Sequence, residues 1–284
     1  MADLGEIHHE GELAWCPGCG DFQIIKSVEK AIVALGRRPH ETLLVSGIGQ
    51  AAKLPHYMKV NGFNGLHGRA LCAAFGAKVA NEKLDVIVTS GDGDLYGEGG
   101  NHFIHNIRRN IDITVIAHDN GVYGLTKGQA SPTAEAGFKS PTQPEGVIMT
   151  PLNPLLLAIS LDAAFVARSY SKEIDFTAAL IAEAVKTPGF ALIDVFQPCV
   201  TFNKVNTYQW YTQRVYKLDG SYDPKDKAAA MVKAQEWGER IPIGVLYKNP
   251  RPSYLDLKRG AGLAPLCETT VDRERVEALA GEFR

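Results

Sequence analysis

Four short apolar runs, each ending in a polar or glycine-rich turn, constrain this chain more than any other feature. Residues 42–46 lead into Gly47-Ile48-Gly49-Gln50, and residues 85–90 into Gly91-Asp92-Gly93-Asp94. Residues 112–117 lead into His118-Asp119-Asn120-Gly121, and residues 190–196 into Gln197-Pro198-Cys199. Runs this short, β-branched and apolar on both faces suit strands buried in a parallel sheet. Residues 163–167 form a fifth, weaker candidate. Helical patterns fall between them. Asp21 is positioned to cap a helix from Phe22, with Ile25, Val28, Ile32 and Leu35 on one stripe. Further helices are expected over 66–80, 101–109 and 174–186, and around 225–239. Alternating strands and helices give the fold class α/β, a mostly parallel sheet flanked by helices. The polar turns then fall at the carboxyl ends of the strands, where open parallel sheets bind ligands. Residues 128–146, rich in Pro, Ser, Thr and Gly, are expected to form a long functional loop.

Composition narrows the function. The chain has 284 residues, 45% hydrophobic and 22% charged, with a formal charge of −2, which argues against a general nucleic-acid binder or a binder of acidic membranes. The start of the chain is acidic and shows no signal or transit pattern. The most apolar stretch, 154–167, is broken by Ser160 and Asp162, so no membrane span is expected. A cytoplasmic location follows as an expectation, in which the five cysteines stay reduced or hold metal.

Glycines flanking Asp92 let the backbone approach a phosphate closely. A helix beginning near Gly99 could aim its N-terminus at the same anion. Asp92, Asn120 and the Val122 carbonyl offer the oxygen ligands that Mg²⁺ prefers. Asn120 lies 28 positions beyond Asp92, at the end of the next expected strand. This pattern resembles the thiamin diphosphate signature, and the resemblance implies that these three residues hold Mg²⁺ against the cofactor diphosphate.

Trp15-Cys16-Pro17-Gly18-Cys19-Gly20 places a C-x-x-C directly before a helix. By itself it suits a redox pair, half of a zinc site or half of an iron–sulfur site. Cys199, at the ligand-facing end of a strand, could join it. Taken together with Ser46-Gly47-Ile48-Gly49-Gln50-Ala51-Ala52-Lys53, His67-Gly68-Arg69-Ala70-Leu71, Tyr123-Gly124-Leu125-Thr126-Lys127-Gly128-Gln129, Ser131-Pro132-Thr133 and Ile241-Pro242-Ile243-Gly244, the motifs occur in order along nearly the whole chain. The sequence looks like the β subunit of 2-oxoacid:ferredoxin oxidoreductases, most like those acting on 2-oxoglutarate.

The resemblance implies a reversible reaction in which a 2-oxoacid, coenzyme A and oxidised ferredoxin give acyl-CoA, CO₂ and reduced ferredoxin. It implies thiamin diphosphate, Mg²⁺ and a [4Fe-4S] cluster held by Cys16, Cys19 and Cys199. Where the family usually has its remaining cluster cysteine this chain has Gln50, a poor ligand for a cluster that favours thiolates. Cys72 is the expected replacement, with His56 an alternative and a three-iron, labile or absent cluster another. Cys267 has no assigned role. By the same resemblance Lys53, Lys127, Leu125, His67 and Arg69 are substrate-site or catalytic residues. Ile48, Gly49, Gly91, Asp92, Gly93, Asp94, Asn120, Val122, Gly124, Leu125 and His67 line the cofactor site. His102 and His105 suggest an H-x-x-H metal pair, with His118 a candidate third member, although the family has no zinc there, and His8-His9-Glu10 is read as an exposed leader.

Residues 1–200 are expected to form the thiamin diphosphate-binding domain with its cysteine segment, and 201–284 a C-terminal extension packing on a partner. Only 85 residues follow Cys199 (284 minus 199), too few for the second domain that thiamin enzymes need. The family places that domain on an α subunit, often in an (αβ)₂ assembly. Two other classes compete. A non-catalytic iron–sulfur subunit would not need Gly91-Asp92-Gly93-Asp94 with Asn120, and a different thiamin enzyme would not need the C-x-x-C.

Overall fold

The computed structural model describes residues 4–8, 11–258, 264, 268 and 270–282. Eight strands form one sheet: β1 (Thr42–Ser46), β2 (Asn61–Asn64), β3 (Asp85–Gly91), β4 (Ile113–Asp119), β5 (Phe165–Tyr170), β6 (Phe190–Phe196), β7 (Val215–Lys217) and β8 (Ile241–Lys248). Their order is β2-β1-β3-β4-β6-β5-β8-β7. Every pairing is parallel except that of β8 with β5. The expected parallel α/β sheet is therefore present, with one antiparallel addition. Strand β8 comes from the segment after Cys199 and completes the main sheet, so part of that segment belongs to the same core. Its Pro242 and Gly244 interrupt the apolar run and hide the strand signal.

The helices α1 (Asp21–Leu35), α2 (Ala70–Ala80), α3 (Gly100–Arg109), α4 (Pro154–Ser160), α5 (Ile174–Lys186) and α6 (Lys227–Gln235) cover both faces. Alternation within β4 shows why its run is apolar throughout. Ile113, Val115 and Ala117 pack with Phe103 and Ile107 of α3, whereas Ile116 packs with Ile24, Val28 and Ile32 of α1. Both layers bury their strand residues completely or nearly so, and truncating such a side chain costs about 2–5 kcal/mol.

Two helix starts differ from the sequence reading. Asp21 is the first residue of α1 rather than its cap, and its carboxylate is engaged by His118 and Cys19 instead. Residues 66–69 form a turn and α2 begins at Ala70, because Gly68 adopts φ +65 and its N–H donates to Asp94. The helix expected near Gly99 is present as α3, which begins at Gly100, and a π-helical segment, Gly93–Glu98, that the sequence did not signal precedes it. Cys267, His9 and Glu10 lie outside the described residues. Among those described, no helix is long and apolar enough to cross a membrane.

Candidate cofactor cleft

The carboxyl ends of β1, β3, β4 and β6 meet in a cleft of about 260 Å³. Its lining includes Ile48, Gly49, Gln50, Gly91, Asp92, Gly93, Asp94, Asn120, Val122, Gly124, Leu125 and His67. Cys16, Cys19 and Cys199 line the same cleft, so the two motifs that were separate in the sequence share one space. The parallel topology causes this, since each polar turn emerges on the same edge.

Asp92, at the end of β3, is buried, and one of its carboxylate oxygens accepts three hydrogen bonds. These come from the Gly121 N–H at 3.0 Å, Ser131 Oγ at 2.5 Å and Thr133 Oγ1 at 2.6 Å. Thr133 Oγ1 also lies 2.7 Å from Asp119 Oδ1. A hydroxyl has one hydrogen, so one of the two acids must share a proton with it. Burial raises both, and Asp119 further because Asp194 and Asp92 add negative charge nearby. The pair therefore favours holding a proton within the Asp92–Thr133–Asp119 hydrogen-bond chain. Asp194, buried in β6, accepts the Tyr96 hydroxyl at 2.7 Å and is pushed up to about 6 by that burial. Asn120 is oriented from both ends of its amide. Its Oδ1 accepts the Val122 N–H at 2.9 Å and its Nδ2 donates to Gln197 Oε1 at 2.6 Å.

Asp94 does a different job from its neighbour. Its carboxylate accepts Gly68 N–H at 2.8 Å, Ile48 N–H at 3.3 Å and Ser90 Oγ at 2.7 Å, tying two loops to strand β3. A Cβ at Gly47 would lie 1.9 Å from Asp94 Oδ2, so only glycine fits there. Gly49, with φ +131, would point a Cβ into open space, and Gly91 would meet only Ala51 at 3.9 Å. That bare backbone edge is a surface a diphosphate can approach, with the helical segment starting at Gly93 facing it.

Among the cysteines, Cys19 is buried and Cys16 exposed. The Cys19 thiol is pushed up by burial and by the adjacent Asp21 carboxylate. Cys19 Sγ accepts Gln197 Nε2 at 3.1 Å, and Cys199 Sγ accepts the Phe202 N–H at 3.4 Å. Gln50 Oε1 is buried without a hydrogen-bond partner, while the Gln50 carbonyl accepts Trp15 Nε1 at 2.9 Å. Among the described residues, no three His, Cys, Asp or Glu side chains converge on a single ion position.

Several expected residues are elsewhere. Cys72 is exposed on α2 and does not line the cleft; its thiol folds back to donate to the Arg69 carbonyl at 3.0 Å. His56 is likewise exposed and outside the lining. Arg69 turns away to His102 Nε2 at 2.9 Å. Neither Lys53 nor Lys127 lines the cleft, and Lys127 is exposed with φ +82. His67 does line it, with its ring 3.9 Å from Asp94. The sequence reading missed Trp15, Asp21, Tyr123 and Phe202 in the wall, and Gln197 above all. An aromatic or amide in a loop carries no spacing signal of its own.

Comparison with known proteins decides what this cleft belongs to. Residues 45–195 match the family described as thiamine pyrophosphate enzyme, C-terminal TPP binding domain. Residues 199–261 match the family described as the C terminal of the pyruvate ferredoxin oxidoreductase beta subunit. The chain is 47% identical over 267 residues to the 2-oxoacid:ferredoxin oxidoreductase subunit beta of Saccharolobus solfataricus, covering 85% of this chain and 88% of that one. It belongs to the β subunits of the 2-oxoacid:ferredoxin oxidoreductases. Subunit beta of the Aeropyrum pernix 2-oxoacid:ferredoxin oxidoreductase 1 is 49% identical over 263 residues, covering 88% and 83% of the two chains. A solved chain of the Magnetococcus marinus 2-oxoglutarate:ferredoxin oxidoreductase, with 2-oxoglutarate, coenzyme A and succinyl-CoA bound, superposes with a TM-score of 0.89 at 35% identity. That match covers 98% of this chain and 96% of the solved one. Thiamin diphosphate therefore has a place in this 2-oxoacid:ferredoxin oxidoreductase subunit, and the glycine edge with its helix start fits a diphosphate. The three sulfurs in the same cleft, two of them accepting N–H bonds, fit the donor set of an iron–sulfur cluster.

Proposed function

We propose that this chain binds thiamin diphosphate, Mg²⁺ and a [4Fe-4S] cluster in one cleft and works with an α subunit to oxidise 2-oxoglutarate to succinyl-CoA and CO₂. When bound, thiamin diphosphate would supply carbanion chemistry and the cluster one-electron transfer. Asp92, Asn120 and the Val122 carbonyl hold Mg²⁺ against the diphosphate. The hydroxyls of Ser131 and Thr133 hold the Asp92 carboxylate, and Thr133 links it to Asp119 behind. Ile48, Gly49, Gly91, Gly93 and Gly124 give the cofactor backbone to lie against, Asp94 fixes those loops, and Leu125 and His67 form the mouth. Cys16, Cys19 and Cys199 are the cluster ligands, with Gln50 rather than Cys72 at the remaining corner.

The observation that carries this reading is the convergence of Asp92, Asn120 and the three cysteines on one cleft. The segment after residue 200 then has two roles, completing the sheet through β8 and packing on the α subunit in an (αβ)₂ assembly in the cytoplasm. Substrate class rests on the bound ligands of the Magnetococcus enzyme, so pyruvate is the alternative to exclude. The test is anaerobic co-expression with the α subunit, followed by dye reduction with 2-oxoglutarate or pyruvate with and without coenzyme A. CoA-dependent reduction with 2-oxoglutarate supports the proposal. Reduction with pyruvate alone overturns the substrate, and no CoA-dependent reduction with either overturns the function.

A further inference from the structure

The two halves of the cleft are joined by one side chain. Gln197 follows β6 directly and is 2% exposed. Its backbone N–H donates to the Asp119 carbonyl at 2.7 Å, which fixes where the side chain starts. The side chain then reaches in both directions. Oε1 accepts Asn120 Nδ2 at 2.6 Å, and Nε2 donates to Cys19 Sγ at 3.1 Å, with the Pro198 carbonyl 3.5 Å away. Gly20 packs against it so closely that a Cβ there would lie 2.8 Å from Gln197 Cγ. The rotamer is therefore locked by its chain neighbours as well as by its hydrogen bonds.

This arrangement uses both ends of an amide, and no other residue type supplies both at that length. Asn120 needs an acceptor on its Nδ2 so that its Oδ1 is the atom presented to a cation, and Gln197 provides it. Cys19 needs a donor that stabilises a thiolate in a buried setting, and the other end of the same amide provides that. Partners beyond the ligands commonly set the orientation and electronic character of a site. Hydrogen bonds to cluster sulfurs are one of the terms that fix reduction potential.

We propose that Gln197 is a positioning residue that couples the two cofactor sites, holding Asn120 as a cation ligand with its carbonyl and tuning the Cys19 sulfur with its amide N–H. The proposal rests on the reading that Cys19 ligates the cluster and Asn120 the cation. It goes beyond that reading by making one side chain set the properties of both groups. The hydrogen-bonded route from the Asn120 amide through Gln197 to the Cys19 sulfur runs entirely through side chains and has one intervening residue.

Two variants separate the halves. Gln197→Met keeps the volume and removes both hydrogen bonds. Gln197→Glu keeps an acceptor toward Asn120 and replaces the N–H donor with negative charge beside Cys19. Both are to be made in the αβ complex, purified anaerobically, with three readouts: iron and sulfide content, the cluster midpoint potential by titration, and Mg²⁺-dependent thiamin diphosphate affinity by calorimetry. The expected result for Gln197→Met is a lower potential together with ~10-fold weaker thiamin diphosphate binding. The expected result for Gln197→Glu is a larger fall in potential at pH 8 with affinity within about threefold of the parent. Parental potential and affinity in Gln197→Met overturn the proposal. Equal shifts in both readouts for the two variants, tracking a common loss of thermal stability, also overturn it, because that is what a merely structural role produces. A parent complex that binds thiamin diphosphate but contains no iron overturns the underlying reading of Cys19 instead, and the coupling with it.

Discussion

The aspartate half of the cleft and the cysteine half are built differently. On the aspartate side, functional groups sit at the ends of adjacent central strands, and their hydrogen-bonding capacity is filled from several directions. Asp92 accepts three hydrogen bonds on one oxygen, and Asp94 ties two loops to strand β3. On the cysteine side, Cys16 and Cys19 precede the first long helix and Cys199 follows a strand. Each of the latter two sulfurs accepts a single N–H, and Gln50 Oε1 has no partner. One half is preorganised by the sheet, while the other is made by loops that rest against it. The lesson is that a rigid edge can hold a diphosphate and its cation in a fixed place while an adjacent, looser rim accommodates a bulkier group.

Crossing two substitutions tests the division most severely. Asp92→Asn is expected to weaken Mg²⁺-dependent thiamin diphosphate binding at least ~100-fold in the αβ complex while leaving iron content near the parent value. Cys19→Ser is expected to do the converse, losing iron while thiamin diphosphate affinity stays within about threefold. Calorimetry and iron analysis on both variants read this out. If Asp92→Asn also empties the iron, the halves form one cooperative unit and the division fails.

A smaller effect compares the two sides by backbone crowding. A Cβ at Gly93 would lie 2.4 Å from a ring carbon of Tyr123, whereas one at Gly18, with φ +83, would meet only Val200 at 3.7 Å. Gly93→Ala is therefore expected to lose about 1–3 kcal/mol by overpacking. Gly18→Ala loses about 1 kcal/mol from the left-handed backbone alone. Urea unfolding of both proteins measures the difference, and a larger loss for Gly18→Ala contradicts the rigid-versus-loose contrast.

The smallest expected effect is on pH. Asp194 titrates higher when folded, about 6, than an ordinary carboxylate, because burial disfavours its charge. A raised acid stabilises the fold most below its unfolded value, and that contribution is lost as pH rises through its folded value. The Asp194 contribution to the melting temperature should therefore decline between about pH 4 and about 6.5, so Asp194→Asn should show a less negative slope over that range than the parent. An unchanged slope in the variant removes Asp194 from the buried carboxyl group of the aspartate half.

The same contrast explains what the sequence could reveal. The strands were legible because buried parallel strands are apolar on both faces, as Ile113 to Ala117 illustrate. The aspartate half was legible because its residues are local to those strand ends. Strand β8 was hidden by Pro242 and Gly244, and the position of α2 by a glycine turn whose N–H serves Asp94. Cys72 misled because sequence order gives no direction to a side chain, and the helix carrying it starts four residues later than its periodicity implies (Ala70 against Leu66). Gln197 was invisible because its importance lies in two partners, 77 and 178 positions away in the chain.

The most direct test of shared occupancy is compositional. Iron, acid-labile sulfide and thiamin diphosphate should be quantified on one anaerobically purified αβ preparation. One cleft serving both groups predicts iron, sulfide and thiamin diphosphate together in fixed proportion to the β chain. Thiamin diphosphate at full occupancy without iron or sulfide, after anaerobic purification and reconstitution, would contradict it.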